Sequence, residues 1–142
     1  MKISARNFLP GTVSDIKRGQ VMSVIRLELK GGNAVTSIIT NESADRLGLK
    51  TGASALAVIK ATSVIVGKVA GEVKLSARNI IKGNVQMLKE GMVMAEVVLD
   101  IGGGNTITSI ISDDSAKRLG LKEKDEAYAI IKATSVMMGV AD

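Results

Sequence analysis

Apolar and polar residues alternate from 21 to 29, with Val21, Ser23, Ile25, Leu27 and Leu29 on one side and Arg26 and Glu28 on the other. The same alternation returns at 93–101, where Val93, Ala95, Val97, Leu99 and Ile101 oppose Glu96 and Asp100, the pattern of a half-buried strand. Gly31-Gly32-Asn33 supplies positive-φ residues for a hairpin into a returning strand at 34–39. Upstream, 3–7 and 12–16 read as two short strands or one strand with a break at Pro10-Gly11, since proline inside a sheet belongs at an edge or bulge. The period then changes. Residues 40–49 carry Thr40 or Asn41 as a cap, Glu42 in the first turn, Arg46 in the last and Gly48 at a left-handed stop, which predicts a short helix. Alternation resumes at 53–60, and 63–69 is expected to form a fifth strand.

Every one of these elements occurs twice, at a constant offset of 72 residues from Ser4 to Gly67. Ser4-Ala5-Arg6-Asn7 returns as Ser76-Ala77-Arg78-Asn79, and Ile59-Lys60-Ala61-Thr62-Ser63-Val64 returns unchanged as Ile131-Lys132-Ala133-Thr134-Ser135-Val136. More than half of the aligned positions are identical, so the chain is a tandem duplication. Two units are expected, 1–70 and 71–142. Each runs strand, strand, strand, short helix, strand, strand, the order of a five-stranded OB barrel. The fold class is therefore all-β with one short helix per unit, as two tandem OB-like five-stranded β-barrels. Units of this size bury only a modest core, so pairing with the twin and with other subunits is expected. The junction at 68–74 is too short for a free tether and predicts packed barrels.

Composition narrows the chemistry. The chain has no cysteine and no histidine, which excludes disulfides, thiolate nucleophiles, imidazole bases and Cys/His metal sites, and argues against an enzyme. Aromatic residues are confined to Phe8 and Tyr128, so the core must be aliphatic. The opening residues lack the long apolar run of a signal peptide or membrane span, which predicts a cytoplasmic protein with no membrane partner. The net charge of +5 attracts anions of many kinds without choosing among them.

Three segments per unit gather groups suited to an oxyanion. Ser4-x-Arg6 and Ser76-x-Arg78 place a hydroxyl and a permanent cation on one side of a strand. The helix starts, Thr40 with Ser43 and Ser112 with Ser115, offer backbone N–H groups and the positive end of a dipole. Lys60-Ala61-Thr62-Ser63 and Lys132-Ala133-Thr134-Ser135 end a strand with an ammonium, hydroxyls and N–H groups. Each has a plainer reading: Thr40 and Ser112 as N-caps, Arg6 and Lys60 as solubilising charges, serines and threonines near glycine as turn formers. Gly31-Gly32 and Gly102-Gly103-Gly104 are hairpin turns rather than phosphate loops, because no helix with Lys-Ser/Thr follows. The pair Asp113-Asp114 is explained by helix-start charge, since Asn41-Glu42 stands at the same place in the first unit. The three donor segments together, without a catalytic residue type, favour anion binding.

Both halves resemble the Mop domain of the molbindins, cytoplasmic molybdate-binding proteins. The resemblance rests on Ser4-Ala5-Arg6-Asn7, Thr40 with Ser43, Leu47-Gly48-Leu49 and Lys60-Ala61, and on the counterparts Ser76-Ala77-Arg78-Asn79, Ser112 with Ser115, Leu119-Gly120-Leu121 and Lys132-Ala133. It implies OB-like barrels around a threefold axis, a homotrimer of two-domain chains, and no cofactor beyond the ligand, molybdate or tungstate. It also implies sites between subunits: Ser4, Arg6, Lys60 and Ala61 from one chain with Thr40 and Ser43 from a neighbour, and likewise in the second unit. Two other readings remain open on sequence. A nucleic-acid-binding OB protein would suit the fold and charge, but lacks aromatic platforms for bases. An oxyanion-sensing partner of a regulator or transporter is the other.

Overall fold

The computed structural model describes residues 2–68 and 74–141. In the first repeat β1 (Asn7–Arg18), β2 (Met22–Leu29) and β3 (Ala34–Thr40) lead into α1 (Asn41–Arg46). Then come β4 (Ser54–Ile59), a 3-10 turn (Ala61–Ser63) and β5 (Ile65–Gly67). The second repeat gives β6 (Asn79–Glu90), β7 (Met94–Gly102), β8 (Asn105–Ser112) and α2 (Asp113–Leu119). It ends with β9 (Glu126–Ile131), a 3-10 turn (Ala133–Ser135) and β10 (Met137–Gly139). All pairings are antiparallel.

The opening strand starts at Asn7, so the expected strand residues 3–6, and with them Ser4-x-Arg6 and Ser76-x-Arg78, precede β1 and β6 rather than lying on them, and β1 is continuous through Pro10. Pro10 pairs only with Leu56 of β4, and the ladder to β2 starts one residue later at Gly11, so the missing N–H falls where no strand lies on the other side. Gly11 is required by closeness: a Cβ there would stand 2.3 Å from the Glu28 carbonyl oxygen. The strand bends instead at a bulge between Val13 and Asp15, repeated in β6 between Val85 and Met87. The β2 alternation holds, with Ser23, Ile25, Leu27 and Leu29 buried, but Val21 lies before the strand and is exposed. The helix caps also hold: the Thr40 and Ser112 hydroxyls accept from the N–H groups of Ser43 and Ser115, and Gly48 and Gly120 take left-handed φ of 66° and 62°.

The fifth strands depart from expectation in length and in place. The expected strand over 63–69 is a 3-10 turn followed by three residues, Ile65–Gly67. Val69 lies outside the described residues, as does most of the expected 68–74 junction. The two sheets run β10-β4-β1-β2-β3 and β5-β9-β6-β7-β8, so each repeat gives its last strand to the other repeat's sheet. Val66 pairs with Ala129 and Met138 with Ala57. Buried hydroxyls fasten the exchange: Ser109 Oγ donates to the Val64 carbonyl at 2.6 Å and Ser37 Oγ to the Val136 carbonyl at 2.6 Å. The result is two curled five-stranded sheets of OB type around one continuous aliphatic core, including Leu9, Ile25, Leu27, Ile59, Leu99 and Ile131. Each such side chain contributes about 1.5–3 kcal/mol by burial.

A second cross-repeat bond explains part of the repeated Ser-Ala-Arg-Asn motif. Asn7 Nδ2 donates to the Thr108 carbonyl at 2.8 Å, while the Thr108 N–H donates to Asn7 Oδ1 at 2.7 Å. Asn79 does the same to Thr36, at 2.8 Å in each direction. Both asparagines are 2% exposed. Each acts as a short stretch of backbone, pairing with a β3 or β8 edge.

Candidate functional site

The ladder between β6 and β9 ends at Asn79 opposite Ile131. Arg78 and Lys132 are therefore the next residues out, emerging from one end of one ladder. They meet around a cavity of about 150 Å³ lined by Ser76, Arg78, Lys132, Ala133, Thr134 and, from the first repeat, Ile38. The 3-10 turn sets the geometry on the Lys132 side. Lys132 is extended (φ −66°, ψ 136°), its carbonyl accepts from the Ser135 N–H at 2.9 Å, and the Val136 N–H reaches the Ala133 carbonyl at 3.3 Å. The N–H groups of Ala133 and Thr134, at the open start of that turn, have no backbone partner among the described residues. The cavity thus collects a guanidinium, an ammonium, two hydroxyls and backbone donors, with no carboxylate in its lining.

The first repeat builds the same framework: Asn7 opposes Ile59, with Arg6 and Lys60 one residue beyond and Ala61 buried at the start of its turn. Ser4, Arg6, Lys60 and Thr62 are exposed. Arg6 differs from Arg78 in being engaged, since its guanidinium forms an ion pair with Glu96 of β7.

The helix-start hydroxyls stand apart from the 150 Å³ cavity. Thr40 Oγ1 donates to Ser43 Oγ at 2.9 Å and accepts from the Ser43 N–H at 3.1 Å, so the Ser43 hydroxyl proton is left to point elsewhere. Ser112 and Ser115 repeat this at 2.8 and 3.1 Å. Within the chain, Ser112 and Ser115 share a separate cavity of about 320 Å³ with Thr62, Val66 and Arg118. Ser63 and Ser135 donate their N–H groups to the Lys60 and Lys132 carbonyls, the turn-forming role.

Three features escaped the sequence. Asn7 and Asn79 sit inside the repeated motif but register there only as polar strand residues. Ser37 and Ser109 are fully buried at inward positions of β3 and β8, two residues after the buried Val35 and Ile107, a signal visible in the alternation. Glu96 stands where the first repeat has Val24, which alignment of the halves exposes.

No group of acidic side chains suited to a cation occurs among the described residues. Asp113 is buried, with Oδ2 on Lys117 at 2.9 Å and Oδ1 unpartnered. The hydrogen bond that the Lys117 ammonium donates to Asp113, reinforced by the carboxylate's charge, raises the Lys117 pKa. No described helix is long and apolar enough to cross a membrane.

Two OB-like units with exchanged strands, and a cavity at a strand end lined by basic and hydroxyl side chains without a carboxylate, define a tandem β-barrel protein. The TOBE domain family matches residues 3–66 and 75–138, and the chain belongs to that family. Molybdenum-pterin-binding protein 1 of Clostridium pasteurianum is 59% identical over 64 residues, which cover 45% of this chain and 94% of that protein. Molybdenum transport protein ModE of Herbaspirillum seropedicae is 34% identical over 140 residues, 99% of this chain and 52% of ModE. The chain thus spans about half the length of that relative. Among solved structures, the cytoplasmic molybdate-binding protein ModG with molybdate bound superposes with a TM-score of 0.95 at 42% identity, covering 99% of this chain and 100% of ModG. The resemblance of both halves to Mop-type domains is borne out across the full length.

Proposed function

We propose that this chain binds molybdate, and tungstate of similar form, as a tetrahedral dianion, and serves to store and buffer it in the cytoplasm. The observation that carries the reading is the convergence of Ser76, Arg78, Lys132, Ala133 and Thr134 on one small cavity. Arg78 and Lys132 supply charge-assisted hydrogen bonds, Ser76 and Thr134 hydroxyl donors, and the start of the 3-10 turn backbone N–H groups. Burying a dianion is costly unless donors surround it, so a fixed shell of donors selects by size. The full-length likeness to molybdate-bound ModG supports the same ligand. The role is binding rather than catalysis, with no cofactor beyond the ligand: the cations and hydroxyls of the lining hold an anion.

The site is completed in a homo-oligomer, a trimer, by the helix-start hydroxyls of a neighbouring chain, Thr40 with Ser43 or Ser112 with Ser115. Outward apolar rows support association. Phe8, Val58 and Met137 lie in register across one sheet, and Ile80, Ile130 and Ile65 across the other. Phe8, Ile65, Ile80 and Met137 are 40–57% exposed in the single chain. The second row runs directly into Ser76 and Lys132, which share a cavity with Ile65 and Ile130. Molybdate bound between chains then stabilises the assembly by linkage.

The half-length match to ModE favours a second reading, in which the same site senses the anion for a regulator or transporter. Isothermal titration with molybdate, and with sulfate as the size control, tests the binding common to both. Saturable molybdate heat with much weaker sulfate binding is expected; no molybdate heat, or equal affinities, refutes it.

A further inference from the structure

The two halves of the chain carry the same donor segments, yet the surroundings of the two arginines differ by one residue. Asn7 bonds Thr108 as Asn79 bonds Thr36, so each Ser-x-Arg segment lies across the second hairpin of the opposite repeat in the same way. Beside Arg78 that hairpin presents Ile38, which pairs with Val24. Beside Arg6 it presents Ile110, which pairs with Glu96. The Glu96 carboxylate turns onto Arg6 and forms an ion pair with Nη1, while Val24 offers Arg78 nothing. Among the described residues Arg78 forms no ion pair. The Glu96 side chain is only 26% exposed, so it is held at this position rather than waving in solvent. The other cation near it is Lys89, its cross-strand neighbour on β6, whose counterpart Lys17 faces Val24.

We infer that Glu96 makes the two oxyanion clusters unequal: it occupies Arg6 as a built-in anionic competitor, leaving the Ser76, Arg78, Lys132 cluster as the tight site and the Ser4, Arg6, Lys60 cluster as a weak one. The inference rests on the oxyanion-binding reading above. A dianion entering the first cluster must displace a carboxylate already bound to the guanidinium and then lie close to that displaced negative charge. At a separation of several ångströms and an effective dielectric between those of surface and water, this lowers affinity by roughly ten- to a hundredfold. Duplication followed by this single change gives one chain two working ranges of anion concentration. The second cluster fills first; the first fills only when free anion is abundant.

The test is calorimetric titration of the intact protein with molybdate, comparing the unaltered chain with Glu96→Val, Glu96→Gln and Val24→Glu. Valine is the residue the first repeat carries at this β position, and glutamine keeps the shape while removing the charge, so the pair guards against a folding artefact. The unaltered chain should show two classes of site separated by about tenfold or more, which both Glu96 variants merge by tightening the weaker class. Val24→Glu should instead weaken the tight class. Molybdate binding with an isotherm unchanged by both Glu96 substitutions overturns the inference and leaves the binding function standing. No molybdate binding by any of the four proteins overturns the function and the inference with it.

Discussion

Replacing Asn79 by alanine tests the coupling between the repeats. Its amide makes two short bonds to one backbone residue, accepting from the Thr36 N–H at 2.8 Å and donating to the Thr36 carbonyl at 2.8 Å, and it is 2% exposed. Alanine removes both partners at once and orphans a donor and an acceptor on β3. At about 1–3 kcal/mol for each unsatisfied group, the range is about 2–6 kcal/mol, and the partly buried position of Thr36 draws it toward the lower half. Against a typical stability of about 5–15 kcal/mol, that is a large loss. Urea unfolding should show a midpoint lowered by about 1 M or more with an unchanged slope. Asn79→Asp should be at least as damaging near neutral pH, because it sets a carboxylate against the Thr36 carbonyl. A loss below about 0.5 kcal/mol in the alanine variant would refute the reasoning, since surface substitutions cost as little. It would mean that water replaces the amide freely and that strand exchange alone holds the repeats together.

Asp113→Asn combined with Ala95→Ser should raise stability by about 1 kcal/mol in the same assay. It removes an unpartnered buried carboxylate oxygen and restores the pairing of the first repeat, where Ser23 Oγ donates to Asn41 Oδ1 and Asn41 Nδ2 to the Gly19 carbonyl. Arg18 grips Asp45 with bonds of 2.7 and 3.2 Å, and that hydrogen bond holds the Asp45 pKa below its ordinary 3.8. A depressed carboxylate stabilises the fold above its unfolded pKa and loses that contribution as pH falls through its folded one, so Arg18→Ala should lower stability by a small, constant amount between pH 6 and 8, and its difference from the unaltered chain should shrink away as pH falls below about 4. Lys60→Ala with Lys132→Ala should weaken molybdate binding by about ten- to a hundredfold, the worth of a charge-assisted bond, with an unchanged circular dichroism spectrum. Unaltered affinity would remove both lysines from the site.

Local structure was legible because each element carries its own signal. Alternation marked the strands, Thr40 and Ser112 the helix starts, Gly48 and Gly120 the stops. The exchange of β5 and β10 was not legible. Because Ile59 to Val64 and Ile131 to Val136 are identical, and β4 and β9 both present the small residues Ala55, Ala57 and Ala127, Ala129, either terminal strand suits either sheet. The pairing that forms is a contact between the two repeats, which no local pattern records. Pro10 misled for a related reason: it breaks a strand only where a partner needs its N–H, and the ladder to β2 starts just past it. The donor segments of the candidate site were legible by type and repetition. Their gathering was legible only in part, since the Arg78 and Lys132 ladder end follows from strand pairing while the approach of Ile38 follows from the packing of one repeat on the other. The repeats also differ in ways that only a side-by-side reading reveals. Arg18 and Asp45, an ion pair in the first repeat, become Glu90 and Lys117 in the second, where the signs are reversed and Lys117 pairs with Asp113 of its own helix instead.

Molybdenum is heavy enough to be located by its own anomalous X-ray scattering, so crystals grown with molybdate address the central claim directly. The account predicts an anomalous peak within hydrogen-bonding reach of Arg78, Lys132 and Ser76, closed by the Ser43 or Ser115 hydroxyl of a neighbouring chain. Molybdenum bound away from these residues, or none bound at saturating molybdate, would contradict it.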